Sequence, residues 1–259
     1  MPKLDGVVGV SQTTLQNLLN FYSLTVPTAQ IPRAVDPSML RWGKQREEIR
    51  QSSQTPEQAP VILFVGSLAK EKRLDRFLRI VSQVKVCLGE VKAWIVGDGP
   101  MRTQLEQEAL SMGLTNTVQF LGAKSNVADY MHAADLLLLT SDTEGIPGVI
   151  LEAGLLKLPV VTTRVGGVSE CVIHGKTGIL VDPADESGLA QSVQNLLQNA
   201  ERRYRMGQAA REWIEKKFTI DKIVGKYIEF YESVLKSRTS RRRIDSNGLC
   251  LSAATLNHA

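Results

Sequence analysis

Residues 61–88 read VILFVGSLAKEKRLDRFLRIVSQVKVCL. The opening run is apolar without alternation as far as Gly66, so both faces of the strand it forms must be covered by other elements. A polar turn carrying Lys70, Glu71, Lys72 and Arg73 follows. Leu74, Phe77, Leu78, Val81 and Val84 then recur at three- and four-residue spacing, the apolar face of a helix. The same unit returns along the chain. VKAWIVG (91–97) precedes MRTQLEQEALSMG, TVQFLG (117–122) precedes NVADYMHAA, and DLLLLT (135–140) leads through SDTEGIPG into an aliphatic helix. LPVVTT (158–163) precedes GGVSECVI, and TGILV (177–181) precedes DESGLAQSVQNLLQN. Six β-α repeats with strands apolar on both faces predict an α/β fold, a doubly wound parallel sheet between two helix layers.

The remaining segments divide around this unit. Residues 1–42 contain LDGVVGVSQTTLQNLLNFY, a lone strand plus helix, too short for a domain of its own and expected as the remnant of another domain. GKQREEIRQSSQTPEQAP (43–60) reads as a polar linker, 61–200 as the ligand-binding domain, 201–235 as two closing helices, and 236–259 as a basic, disordered tail. The net charge of +4 belongs to that tail; outside it basic and acidic residues balance. A nucleic-acid-binding face is therefore not expected, and contact with an anionic membrane would be peripheral at most. Three cysteines without a CxxC pair, no run approaching a membrane span and no signal-peptide pattern at the N-terminus lead to the expectation of a cytoplasmic protein.

In a doubly wound sheet the ligand lies beyond the carboxyl ends of the strands. Here that edge collects the Ser67–Arg73 turn, GDGP at 97–100, GAKSN at 122–126, SDTEGIPG at 141–148 and RVGGVSE at 164–170. Glycines permit close backbone approach, and helix N-termini present unpaired N–H groups at the positive end of the dipole, so an anionic, phosphorylated ligand is expected. GDGPMR is not a dinucleotide fingerprint, because Arg102 takes the last glycine's place; GKT at 175–177 is not a P-loop, because Glu170 stands where the first glycine belongs. No His/Cys spacing suits a zinc site, and neither phosphate motif of a common nucleotide cofactor is complete. Pro147 places a helix start near Gly148, with Glu144 in the loop before it and Glu152 one turn inside. A phosphate on the N–H groups of residues 147–149 would then have a carboxylate to either side, each suited to accept from paired sugar hydroxyls. The plainer reading is that both acids favour the helix dipole.

EGIPGVILEAG resembles the E-x7-E signature of the retaining GT-B glycosyltransferases, specifically glycosyltransferase family 4. FVGSLAKEKRLDRFL, WIVGDGPMRTQLE, VQFLGAKSNVADYMHAADLLLLTS and VVTTRVGGVSECVIHGKTGILVDPAD resemble further motifs of that family in order, and LDGVVGVSQTTLQNLL…IPRAVDPSML resembles the end of its N-terminal domain. The resemblance implies the Rossmann-like C-terminal half of a GT-B enzyme, acting on a nucleotide-diphosphate sugar with retention and without metal, on an unknown acceptor, in polysaccharide biosynthesis. By the same resemblance Lys72 neutralises the diphosphate, Glu144 meets the donor sugar and Glu152 the ribose. Gly148 and Val149, beside Pro147, offer backbone N–H groups, while Ser67, Gly97, Gly122 and Ala123 line the nucleotide pocket. Ser67 stands where the family usually carries an arginine, and Arg73 where it carries a glycine. Most of the acceptor domain is missing from the pattern, which implies either a transferase or a binding module completed by a separate acceptor-domain chain.

Overall fold

The computed structural model describes residues 4–253, and side chains as far as residue 237. Its centre is a six-stranded, all-parallel sheet built from β3 (Val61–Val65), β4 (Lys92–Val96), β5 (Val118–Gly122), β6 (Leu136–Leu139), β7 (Val160–Thr163) and β8 (Ile179–Val181). The spatial order is β5-β4-β3-β6-β7-β8. The chain thus winds outward from β3 to one edge, then crosses back to β6 and winds to the other. That reversal leaves a crevice between the carboxyl ends of β3 and β6. The apolar runs became strands because both sheet faces are covered. Ile62, Leu63, Phe64, Leu136, Leu137 and Leu138 have no exposed surface.

The helices come from the segments with helical periodicity: α3 (Leu74–Leu88), α4 (Arg102–Ser111), α5 (Val127–Ala133), α6 (Gly148–Leu155), α7 (Val168–Cys171) and α8 (Glu186–Leu197). Two closing helices follow, α9 (Ala200–Lys217) and α10 (Ile220–Ala253). Phe77, Leu78, Val81 and Val84 of α3 are fully buried, as its spacing requires. α6 packs so closely on α9 that a Cβ on Gly154 would come within 2.7 Å of Ile214. α10 continues to Ala253, into the stretch expected as a disordered tail; residues 254–259 of that tail lie outside the described residues.

The N-terminal segment holds more structure than expected. Besides β1 (Val7–Gly9) and α1 (Gln12–Phe21) there is a second strand, β2 (Thr28–Gln30), and the two strands pair in parallel. Ile31, Ile223 and Phe230 form a small core that ties this unit to α10. The segment expected as a linker contains α2 (Arg46–Ser52), with Ile49 and Arg50 buried. The Arg50 guanidinium donates to the carbonyls of Ala133, Pro56, Glu57 and Ala59 and pairs with Asp135 at 2.9 Å. This full set of acceptors offsets the cost of burying the charge. Polar composition here marks a satisfied interior arginine and a docked helix. Among the described residues, no helix is long and apolar enough to cross a membrane.

Candidate functional site

The crevice is shaped by turns that only particular residues allow. After β3 the chain passes Gly66 and Ser67 into a tight 3-10 turn at Lys70–Lys72 and reaches Arg73 with φ 49°, in the left-handed region. That conformation explains why a glycine suits the position. Thr140, at the end of β6, donates to the carbonyl oxygens of Lys72 (3.1 Å) and Arg73 (2.9 Å) and fixes the turn against the sheet. Gly97 has φ 136°, and a Cβ there would lie 1.8 Å from the Gly66 oxygen; the first two β-α turns touch backbone to backbone.

Across the crevice, Glu144 is held from three directions. Its Oε1 accepts from Lys72 Nζ at 2.7 Å and from the buried Ser141 hydroxyl at 2.7 Å. Oε2 accepts from no described residue. The Glu144 carbonyl accepts from the Gly167 N–H at 3.2 Å, and Gly166, φ 50°, approaches so closely that a Cβ would stand 1.8 Å from that oxygen. Three residues on, Pro147 (φ −67°) caps α6, and Gly148 and Val149 open the helix with N–H groups that have no intrahelical acceptor. The aliphatic run between the two glutamates is explained by α6 itself: Ile150 and Leu151 are buried beneath it, while its N-terminus faces the cleft.

Ser67, Lys72, Glu144, Pro147, Gly148 and Val149 line one cleft of about 700 Å³. Glu152 is not on its wall. It lies one turn inside α6, where burial raises its pKa and the positive charge of Arg33 opposes the shift. Gly97, Gly122 and Ala123 sit at the ends of β4 and β5 on the same sheet edge and do not line the cleft either. The Arg73 side chain turns away from it: Nε and Nη2 grip Asp75 at 2.9 Å each, and Nη1 lies 3.1 Å from Asp142. Outside the predicted set, Val65, Gly66, Gly145 and Ile146 of the same two turns also line it, and the far wall comes from Val10, Arg33 and Ala34 of the N-terminal unit and Tyr227 of α10. Glu170 docks that unit, accepting from the Gln12 N–H at 2.9 Å and from the Gln30 amide. IPRAVDPSML contains Arg33, but nothing local in that stretch signals that its side chain reaches Gly148.

Residues 45–213, more than half of the chain, match the family described as glycosyl transferases group 1. The chain belongs to this family. It is 34% identical over 184 residues to the N-acetyl-alpha-D-glucosaminyl L-malate synthase of Bacillus anthracis, covering 70% of this chain and 47% of that protein. It is 27% identical over 236 residues to a GDP-mannose-dependent phosphatidylinositol monomannoside mannosyltransferase of Mycobacterium tuberculosis, covering 87% and 61%. The chain spans about half the length of the first curated relatives it matches. Among solved structures, Anabaena HepE in complex with UDP and glucose superposes with a TM-score of 0.81 at 24% identity, over 88% of this chain and 63% of that one. The α/β fold with its six-stranded parallel sheet is thus that of the GT-B glycosyltransferases, and this chain covers roughly their C-terminal half.

Proposed function

We propose that this chain is the donor-binding half of a glycosyltransferase that takes a sugar from a nucleoside-diphosphate sugar and passes it, with retention, to a glycan, lipid or small-molecule acceptor. The observation that carries the reading is the convergence, at the crevice between β3 and β6, of the Lys72–Glu144 pair and the open N-terminus of α6. An ammonium and a helix dipole favour a diphosphate. A carboxylate with one oxygen committed and the other open suits a sugar hydroxyl.

In the proposed reaction the anomeric carbon–oxygen bond breaks and its electron pair leaves on the diphosphate oxygen. The acceptor hydroxyl forms the new bond, and its proton passes to that oxygen. Charge grows on the diphosphate as this happens, which is where Lys72 and the Gly148 and Val149 N–H groups act, without requiring a metal. Glu144 orients the sugar. Glu152, one turn along α6 and off the cleft wall, is the acceptor proposed for the ribose hydroxyls.

Calorimetric titration with UDP, GDP and ADP, each with and without an attached sugar, tests the reading. One nucleotide should bind, and Glu152→Ala should abolish that binding; no binding to any would refute the donor-site assignment. A second reading, a nucleotide-sugar-binding module that works only with a separate acceptor domain, is favoured by the N-terminal unit. Its sheet has only two strands, and Phe21, Tyr22, Ile228 and Tyr231 are exposed around it. Donor binding with transfer appearing only on addition of an acceptor-domain chain would support this second reading; transfer by the chain alone would exclude it.

A further inference from the structure

The cations around the cleft differ in what already neutralises them. Lys72 is paired with Glu144. Arg73 and Arg76 are engaged by Asp75 and Asp142, and Arg102 by Asp98 and Glu106. Arg33 is different. It follows β2 in the turn before Val35, whose N–H donates to the Phe218 carbonyl at 2.9 Å and anchors the turn. Its guanidinium lies directly over the first residue of α6: a Cβ on Gly148 would come within 2.7 Å of Cζ, 2.8 Å of Nε and 3.0 Å of Nη2. Among the described residues Arg33 makes no hydrogen bond and no ion pair; the carboxylate whose charge it influences is Glu152, inside the helix.

A guanidinium beside a helix N-terminus sets two positive ends against each other, the reverse of what favours a helix. Among the described residues no carboxylate bonds to the exposed guanidinium, and the nearest opposing charge is that of Glu152, one turn inside the helix. An anion seated between the two positive ends would relieve the conflict, because the guanidinium offers a planar fork of donors that matches a phosphate, and the open N–H groups of α6 point to the same place. Gly148 has no Cβ that would push the guanidinium aside.

We propose that Arg33, supplied by the N-terminal unit, is a diphosphate-binding residue of the donor site, sharing one phosphate with the N-terminus of α6 while Lys72 meets the ligand from the β3 turn. This inference rests on the donor-site reading above and assigns the site a second cation. It also gives the N-terminal unit a role in the site, since Glu170 and Val35 hold in place the turn that carries Arg33.

The test compares the unmodified chain with Arg33→Ala, Arg33→Gln and Gly148→Ala. The probes are whichever of UDP, GDP and ADP binds, the matching nucleoside monophosphate, and pyrophosphate. Arg33→Ala and Arg33→Gln should weaken the nucleoside diphosphate about ten- to a hundredfold, the worth of a charge-assisted contact, and the monophosphate less. Gly148→Ala keeps the charge and the N–H but displaces the guanidinium, so it should weaken the diphosphate in the same direction. Melting curves identify any variant that folds poorly; Gly148→Ala meets only the end of a flexible side chain and carries the test in that event. Diphosphate affinity unchanged in all three variants would overturn the assignment while leaving the donor site standing. So would equal losses for the mono- and diphosphate. Pyrophosphate binding that depends on Arg33, with no nucleotide bound, would assign the clamp to a free diphosphate and refute the donor reading. Failure of the unmodified chain to bind any of the probes would remove both.

Discussion

Two groups of charges face each other across the Lys70–Arg73 turn, and they are built on different principles. On the outer side Arg73, Arg76 and Arg79 interlock with Asp75, Asp142 and Glu186. Arg79 grips Glu186 at 2.7 and 2.9 Å, Arg76 reaches Asp142 at 3.0 Å, and Asp75 serves both Arg73 and Arg79. Every carboxylate there has a cation, and the set ties α3, α8 and the loop after β6 into one piece. On the cleft side Lys72 and Glu144 pair, but among the described residues Arg33 stands without a hydrogen-bonding carboxylate, Glu152 is half-buried with no hydrogen-bond partner, and Glu144 keeps one oxygen uncommitted. Neighbouring residues in the chain, Lys72 and Arg73, fall into opposite groups because the left-handed conformation at Arg73 turns its side chain outward. A closed set of charges holds a turn in place. An unbalanced one, at the point where the strand order reverses, has room for a ligand of the missing sign.

This contrast can be broken at several strengths. Gly166→Ala should have the largest effect, because the new Cβ would meet the Glu144 carbonyl oxygen at 1.8 Å and the backbone sits at φ 50°. Backbone must move to admit it, so a loss of about 3 kcal/mol or more in denaturant unfolding is expected, together with misplacement of Glu144. Lys72→Ala should weaken nucleoside-diphosphate binding by about 1.5–3 kcal/mol, while the melting temperature changes little because its partner Glu144 keeps the Ser141 hydrogen bond. Asp75→Asn opens the closed set instead and should leave nucleotide affinity unchanged.

The stability effect of Asp75→Asn should be small and dependent on pH. Burial works against the Asp75 carboxylate, but the guanidiniums of Arg73 and Arg79 bring its pKa down from 3.8 to about 2. A carboxylate with a depressed folded pKa contributes stability that is complete above its ordinary value and is lost as pH falls through the depressed one. With about a third of both partners exposed, solvent screening limits the cost of Asp75→Asn at neutral pH to about 1 kcal/mol or less. That cost should fade in melts carried out as the pH approaches 2.

Much of the fold was legible in the sequence because its signals are local. Runs such as VILFV and LLLL have no polar face, and the spacing of Leu74 to Val84 marks the buried side of α3. Pro147 announced the start of α6, and with it the positions of Glu144 and Glu152 relative to the helix. What escaped depended on contacts distant in the chain. α2 was hidden because one of its two buried side chains is Arg50, whose acceptors come largely from other segments; Glu47 and Glu48 in its first turn and Arg50 in its last were the available signs. β2 is only three residues, and its pairing with β1 follows from the enclosing fold. Arg33 is the plainest case. A single arginine after a proline has no pattern, and its place over Gly148 exists only once Glu170 and α10 have docked the N-terminal unit.

Amide chemical-shift mapping of the isotopically labelled chain, titrated with UDP, GDP and ADP in turn, tests the central claim most directly. One of the three should shift the amides of Gly66, Ser67 and Lys72 together with those of Gly145, Gly148 and Val149, the two rims of the crevice between β3 and β6. Shifts confined to another surface, such as the groove between Lys176 in the turn before β8 and Arg202 and Arg205 of α9, would contradict the assignment of the donor site. A spectrum unmoved by all three nucleotides would contradict it as well.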